Sequence, residues 1–273
     1  MSSSGFVASQ GIDRDELERW LAQQLQVSRF RDYCPNGLQV AGKRRIRKLI
    51  TGVTASLAFL EQAVARQADA VLVHHGWFWK NDDPRVVGML RARLGLVIQH
   101  DLNLLAYHLP LDAHPVWGNN AQLARVLGLV PDAAPASAAQ GAGLVPRTLG
   151  DDGLLWVGSM PGVQTLAEFG QRVQQRLGRA PLVVGDPRAD VGRVVWCTGG
   201  AQGYMAQAIE AGASVYLTGE ASEYNTHLAR ETGTAFVAAG HHATERYGVQ
   251  ALGQAVAEAL AITVEHIDID NPV

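Results

Sequence analysis

Six side chains of this sequence have types and spacings that suit metal chemistry: His74, His75, His108, Asp112, His241 and Glu245. Neutral imidazole is a common nitrogen ligand for zinc, iron and nickel, and carboxylates can bridge two ions. Four imidazoles with two carboxylates suit two divalent ions that keep positions open for water. Adjacent strand residues point to opposite faces, so His74 and His75 share a site only where the strand gives way. Gly76, which tolerates unusual backbone angles, makes that turn plausible. The spacing His108-x-x-x-Asp112 bends around Pro110, and His241-x-x-x-Glu245 lies where a helix should start, so that residues four apart share a face. Taken singly, a histidine at a strand end more often caps or hydrogen-bonds than ligates. The joint occurrence at strand ends carries the metal reading. Mixed ligation of this kind suits zinc, iron, manganese and nickel alike.

Other polar residues lie close by. His114 and His242 are candidates for outer hydrogen bonding or proton transfer, with a plain surface role as the alternative. Glu220 either orients a ligand, acts as a base or caps the next segment. Cys197-Thr-Gly-Gly-Ala-Gln-Gly203 joins a strand to a helix, where backbone amides can hold an anion. It lacks the glycine spacing of dinucleotide folds and the lysine of a P-loop, so tight packing explains it equally well. The basic run Lys43, Arg44, Arg45, Arg47 and Lys48 reads as a solvated loop.

The elements that must position these groups alternate between strand and helix. Lys48 to Val53 and Ala70 to Val73 read as buried strands, with Leu57, Leu60 and Val64 on one helical face between them. A third strand runs from near Leu102 to His108. Asn119 and Asn120 can cap a following helix. Thr165-Leu-Ala-Glu168 is a capping box. Strands are expected again over Arg193 to Cys197, Val215 to Leu217 and Ala235 to Ala239, and a last helix carries Val249, Leu252, Val256 and Leu260. Alternating strands and helices imply an α/β fold with largely parallel sheets, whose functional groups gather beyond the strands' carboxyl ends. The strand ending at His108 matches the one ending at His241, and a carboxylate follows each four residues later. We therefore expect two similar α/β lobes, residues 1–131 and 151–273, joined by an Ala/Pro/Gly-rich linker over 132–150, with a metal cleft between them.

Bulk properties agree. At 273 residues the chain exceeds the ~100–200 typical of one domain. Hydrophobic residues make up 47% and charged residues 18%, enough for a core and without the signature of disorder. A net charge of −3 argues against bulk nucleic-acid binding. Cys34 and Cys197 show no paired spacing, so a reducing cytoplasm is expected. No signal-peptide pattern opens the sequence, and no apolar run reaches the ~18 residues of a membrane helix.

Several long segments carry a family resemblance: VHHGWFWK from Val73, YHLPLDAHPVWGNN from Tyr107, WCTGGAQGY from Trp196, LTGEASEYNTH from Leu217 and AAGHHATERYG from Ala238. In this order they resemble the dinuclear-metal-centre hexameric proteins, also called the GTP cyclohydrolase I type 2 homologues or the NGG-one-interacting factor three-like family. The resemblance runs from about Asp13 to Pro272. It implies two similar lobes, two metal ions held by the same six residues, and a toroidal homohexamer. It also implies a metal-dependent hydrolase acting on a nucleotide or related heterocycle, with opening of the GTP imidazole ring as one proposed reaction. Two alternatives stand beside it: a metal-binding scaffold or regulatory protein without turnover, and a phosphoesterase acting on nucleic-acid or damaged-nucleotide ends.

Overall fold

The computed structural model describes residues 11–134, 146–150 and 152–273. Most of the Ala-rich stretch expected as a linker, residues 135–145, lies outside the described residues, as does the N-terminal segment read for a signal, residues 1–10. The elements run β1 (Ile12–Asp13), α1 (Arg14–Gln24), β2 (Gly37–Val40), β3 (Arg45–Ile46), β4 (Lys48–Thr54), α2 (Leu57–Ala65), β5 (Ala70–His75), α3 (Gly88–Gln99) and β6 (Asn103–Ala106). There follow α4 (Leu109–Ala113), α5 (Asn119–Leu127), β7 (Val130–Pro131), β8 (Thr148–Leu149), β9 (Leu155–Ser159), α6 (Leu166–Leu177), β10 (Leu182–Val184) and β11 (Val194–Trp196). The chain closes with α7 (Met205–Glu210), β12 (Val215–Thr218), α8 (Glu223–Thr232), β13 (Ala235–Ala238), α9 (His241–Leu260) and β14 (Thr263–His266).

Two compact units result. The first takes the residues up to Pro110 together with Val249–Ile269. Its main sheet has the order β14-β4-β5-β6-β2, parallel except for β2. Parallel neighbours need crossovers, and α2 and α3 supply them. Strand β5 is buried on both faces, which is why Ala70-Val-Leu-Val73 reads as a continuous apolar run rather than an alternating one. Phe59, Leu60, Val71, Val73 and Leu104 pack in its core.

The second unit takes Leu111–Gly248 and Asp270–Val273. Here β11, β12 and β13 are parallel, with α7 and α8 as crossovers. This repeats the β-α-β-α-β succession of β4 to β6. The sheet is mixed: β10 runs antiparallel on β13, β9 antiparallel on β11, and β7 and β8 on β9. Trp156, Phe169, Trp196, Leu217 and Val237 form its core. The capping box of α6 closes in both directions, Glu168 N–H to Thr165 Oγ1 at 3.3 Å and Thr165 N–H to Glu168 Oε2 at 3.2 Å.

The units do not follow the expected boundaries. Residues 111–131 fall in the second unit, where Val130–Pro131 pairs with β9. The C-terminal part of α9 and β14 fall in the first, where Thr263–His266 pairs with Lys48–Thr51. Strand pairing and core contacts set these limits, and a repeat read along the chain cannot register a strand that returns from the far end. No described helix is long and apolar enough to cross a membrane.

Candidate metal centre

In the first unit, His74 and His75 end β5 and His108 follows β6 by two residues. The strand persists through His75, yet both rings meet. Their centroids are 4.4 Å apart, and His108 lies 5.1 Å from His74 and 5.8 Å from His75. One ring nitrogen from each of the three lies within 4.8 Å of the others. Gly76 serves this arrangement through space rather than through an unusual φ: a Cβ there would collide with the Gln39 side chain and Ala106 Cβ. The Gln39 carboxamide sits so close because its Oε1 accepts the Trp77 amide at 2.7 Å.

Each imidazole is fixed through Nδ1. His74 Nδ1 faces the Tyr107 carbonyl oxygen at 3.0 Å, so it carries the proton and Nε2 carries the lone pair. His108 Nδ1 lies 2.8 Å from Asp32 Oδ1, and His75 Nδ1 lies 3.3 Å from Thr54 Oγ1. Orientation of this kind, Nδ1 to a carbonyl or carboxylate, is what metal-ligating histidines have. Asp32 accepts four donors. Oδ1 takes Tyr33 N–H (2.6 Å) and His108 Nδ1, while Oδ2 takes the Asn36 carboxamide (2.8 Å) and Leu109 N–H (2.9 Å). Burial opposes its charge, but His108, Asn36 and the Leu109 amide outweigh it and hold the carboxyl at about 2. Burial, helped by the Asp32 charge, pushes the neighbouring Cys34 thiol up to about 12, so Cys34 is a neutral thiol near neutral pH.

In the second unit, Asp112 lies on α4, where Pro110 fits because the first turn of a helix needs no proline N–H. His241 and Glu245 share one face at the start of α9. Asp112 and Glu245 each present an oxygen within 4.8 Å of the other's. Asp112 Oδ1 accepts from Asn119 Nδ2 at 2.8 Å and Thr198 Oγ1 at 3.4 Å. His241 stands between two carboxylates, Nδ1 at 2.6 Å from Glu220 Oε1 and Nε2 at 3.1 Å from Glu245 Oε2. Burial works against its charge, but Glu245 and Glu220 prevail and raise it to about 9. Uptake of an ion at His241 must therefore displace a proton.

The 197–203 loop packs onto this corner. Gly199 adopts φ +68, and a Cβ there would meet the Glu245 carboxylate. Its amide donates to Thr244 Oγ1 at 3.0 Å. Close backbone approach to Glu245 and His241 accounts for Gly199. Burial, reinforced by Asp112 and Glu245, raises the Cys197 thiol.

The remaining sequence candidates separate clearly. Glu220 orients His241. His114 uses Nδ1 to accept the Val116 and Trp117 amides (3.2 and 3.0 Å) and stacks on Trp117 at 4.6 Å. Burial lowers it to about 4, which makes it a neutral ring holding its own turn. His242 is buried, and its amide donates to the Val273 carbonyl. Asn119 and Asn120 do not cap α5, whose N-cap is Gly118. They turn inward: Asn119 Oδ1 accepts Gly248 N–H at 3.1 Å, and Asn120 Oδ1 accepts Thr198 N–H at 3.1 Å. Sequence reasoning missed Asp32, Asn36 and Thr198. The turn pattern Asp32-Tyr-Cys-Pro-Asn36-Gly37 was the available signal, since a carboxylate and a carboxamide four apart before a glycine can close a polar knot.

The donor set fits divalent metal. In the first unit the imidazoles converge, with the tautomers of His74 and His108 set by their oxygen acceptors, and in the second buried carboxylates converge with further imidazole nitrogen. A "GTP cyclohydrolase 1 type 2 homolog" of Neisseria meningitidis serogroup A is 47% identical over 259 residues, covering 95% of this chain and 98% of its own. The protein of the same name from Pseudomonas aeruginosa is 50% identical over 258 residues, covering 94% and 95%. The solved structure of protein ybgI, described as of unknown function, superposes with a TM-score of 0.88 at 43% identity, covering 96% of this chain and all of its own. The model of the Duf34/NIF3 (NGG1p interacting factor 3) family matches residues 12–272, and the chain belongs to that family.

Proposed function

We propose that the chain is a metal-dependent hydrolase acting on a nucleotide or related heterocycle. Its two divalent ions would be held by His74, His75, His108, Asp112, His241 and Glu245. The observation that carries this is the fixed imidazole triad, in which the Tyr107 carbonyl, Asp32 and Thr54 engage Nδ1 of His74, His108 and His75. A divalent ion in such a setting supplies Lewis acidity and brings the pKa of water to about 7. The protein's own residues do the positioning. Asp32 holds the His108 ring through Nδ1 and so leaves Nε2 to face a metal. Glu220 does the same for His241, and Asn119 with Thr198 aims the Asp112 carboxylate. The name of the relatives, GTP cyclohydrolase 1 type 2 homolog, supports a nucleotide as substrate class. From the family likeness we further propose a homohexamer, which light scattering would register near six times 29.3 kDa.

The test is elemental analysis and a turnover screen of metal-reconstituted protein against nucleotides, with His74→Ala as control. Up to two ions per chain and His74-dependent turnover are expected. Protein that takes up no metal under any loading condition refutes the site. Metal-loaded protein without turnover leaves the non-catalytic scaffold in its place.

A further inference from the structure

Immediately after His75, the first unit opens a cavity of about 940 Å³ lined by Gly76, Trp77, Phe78, Trp79, Lys80 and residues 82–93 in part. That volume is at the upper end of small-molecule sites. One wall is aromatic. Trp79 belongs to the cavity and to the triad at once: its indole stands edge-on to His108 at 5.0 Å and lies 6.1 Å from His75. Phe78 is 41% exposed and holds φ +65, a left-handed conformation that a bulky residue rarely keeps. Strain of this kind at a cavity wall points towards a ligand contact.

Cationic side chains line the cavity as well. Arg93 lines the cavity, and its buried Nε has no hydrogen-bond partner. Burial lowers its pKa, so the guanidinium sits where a bound anion would relieve it. Lys80 is exposed and lines the same space. Of the other charges there, Arg85 is tied to Asp83 (Nη2 to Oδ2, 2.5 Å) and Asp82 contributes one negative charge. Met89 and Leu90 belong to the first turn of α3, which has no side-chain cap, so its amides add positive potential.

We infer that this cavity is a substrate subsite for a planar aromatic ring bearing a phosphate group, the ring against Phe78 and Trp79 and the phosphate on Arg93 and Lys80. A guanidinium fork matches phosphate oxygens, and aromatic faces take a heterocycle of any identity. The inference rests on the proposed nucleotide hydrolase and gives that site its substrate-holding half. Reach fits as well, since Trp79 lines the cavity and its ring lies 5.0 Å from that of His108.

Isothermal titration of the full chain with guanosine 5′-monophosphate, guanosine and inorganic phosphate tests it, on metal-loaded and metal-stripped protein. The wild type should bind the monophosphate in both states. Arg93→Gln should weaken the monophosphate at least tenfold and leave guanosine unchanged, with Arg93→Lys intermediate. Phe78→Ala, at an exposed position that the core does not need, should weaken monophosphate and guanosine together and spare inorganic phosphate. Metal content equal to wild type reports that the variants are folded. Monophosphate binding unchanged in both Arg93→Gln and Phe78→Ala overturns the inference, as does wild-type protein that binds no monophosphate. Binding that follows the variants, without turnover of any nucleotide, overturns the hydrolase reading alone.

Discussion

Replacing Asp32 by Asn tests whether the residues behind the triad control metal binding. The side chain is 3% exposed and accepts four donors, two on each oxygen. A carboxamide has one acceptor oxygen, so its NH2 group must face one of these pairs. In one orientation His108 Nδ1–H and the Tyr33 amide lose their acceptor. In the other, the Leu109 amide and the Asn36 carboxamide lose theirs. Either way two donors are stranded, at about 1–3 kcal/mol for each one that is buried. The expected loss of stability is about 2–4 kcal/mol, or roughly 5–15 °C in Tm. The negative charge behind His108 is lost in both orientations. Removing such a partner lowers metal affinity about 10–100-fold, or about 1.4–2.7 kcal/mol. Competition with a chromogenic chelator measures the affinity, and thermal unfolding of metal-free protein measures the stability. A lowered Tm with wild-type metal affinity would make Asp32 a structural turn residue and refute the idea that it acts on metal through His108.

Three further outcomes follow from the same geometry. Glu245→Gln keeps the size of the side chain at the start of α9 but not its charge, so the variant should fold and lose at least one ion by elemental analysis. Retention of both ions at unchanged affinity would remove Glu245 from the ligand set. Gly199→Ala places a Cβ against the Glu245 carboxylate at φ +68, which should cost about 1–3 kcal/mol in urea unfolding and reduce metal loading. Asp69 contributes to acid behaviour in the first unit. Burial opposes its charge, but Lys43 and the amides of Arg47 and Lys48 lower its pKa overall. A carboxyl lowered by folding adds stability that is present above the unfolded value near 3.9 and lost as pH falls through the folded value. Asp69→Asn should therefore flatten the fall in urea midpoint between about pH 5 and pH 3, and an unchanged acid limb would count against it.

The histidine candidates were legible because each lies at or just beyond the end of a run whose apolar character announces a buried strand. His74 and His75 close Ala70-Val-Leu-Val73, and His241 follows Ala235–Ala238. Local chemistry also exposed the Thr165–Glu168 capping box, since both partners sit within one turn. The residues behind the ligands were hidden for the opposite reason. Asp32 meets His108 across 76 positions, and Asn120 meets Thr198 across 78. Neither pairing leaves a periodic trace. Asn119 and Asn120 have the composition of a cap and are instead buried acceptors and donors, a role that burial alone reveals. The unit boundaries failed similarly, because the return of β14 to β4 is a matter of tertiary pairing.

That return has a consequence for how the protein is made. Strand β14 forms the edge of the first unit's sheet beside β4, and it is translated only after all of residues 111–248. A nascent chain that has emerged to Pro110 therefore presents β4 with one side unpaired, offering its amides and carbonyls to any passing strand. At synthesis rates of about 5–20 residues per second, that edge waits for about 8–30 seconds. The first unit's sheet, begun first, thus gains its edge strand only after almost all of the second unit has been made.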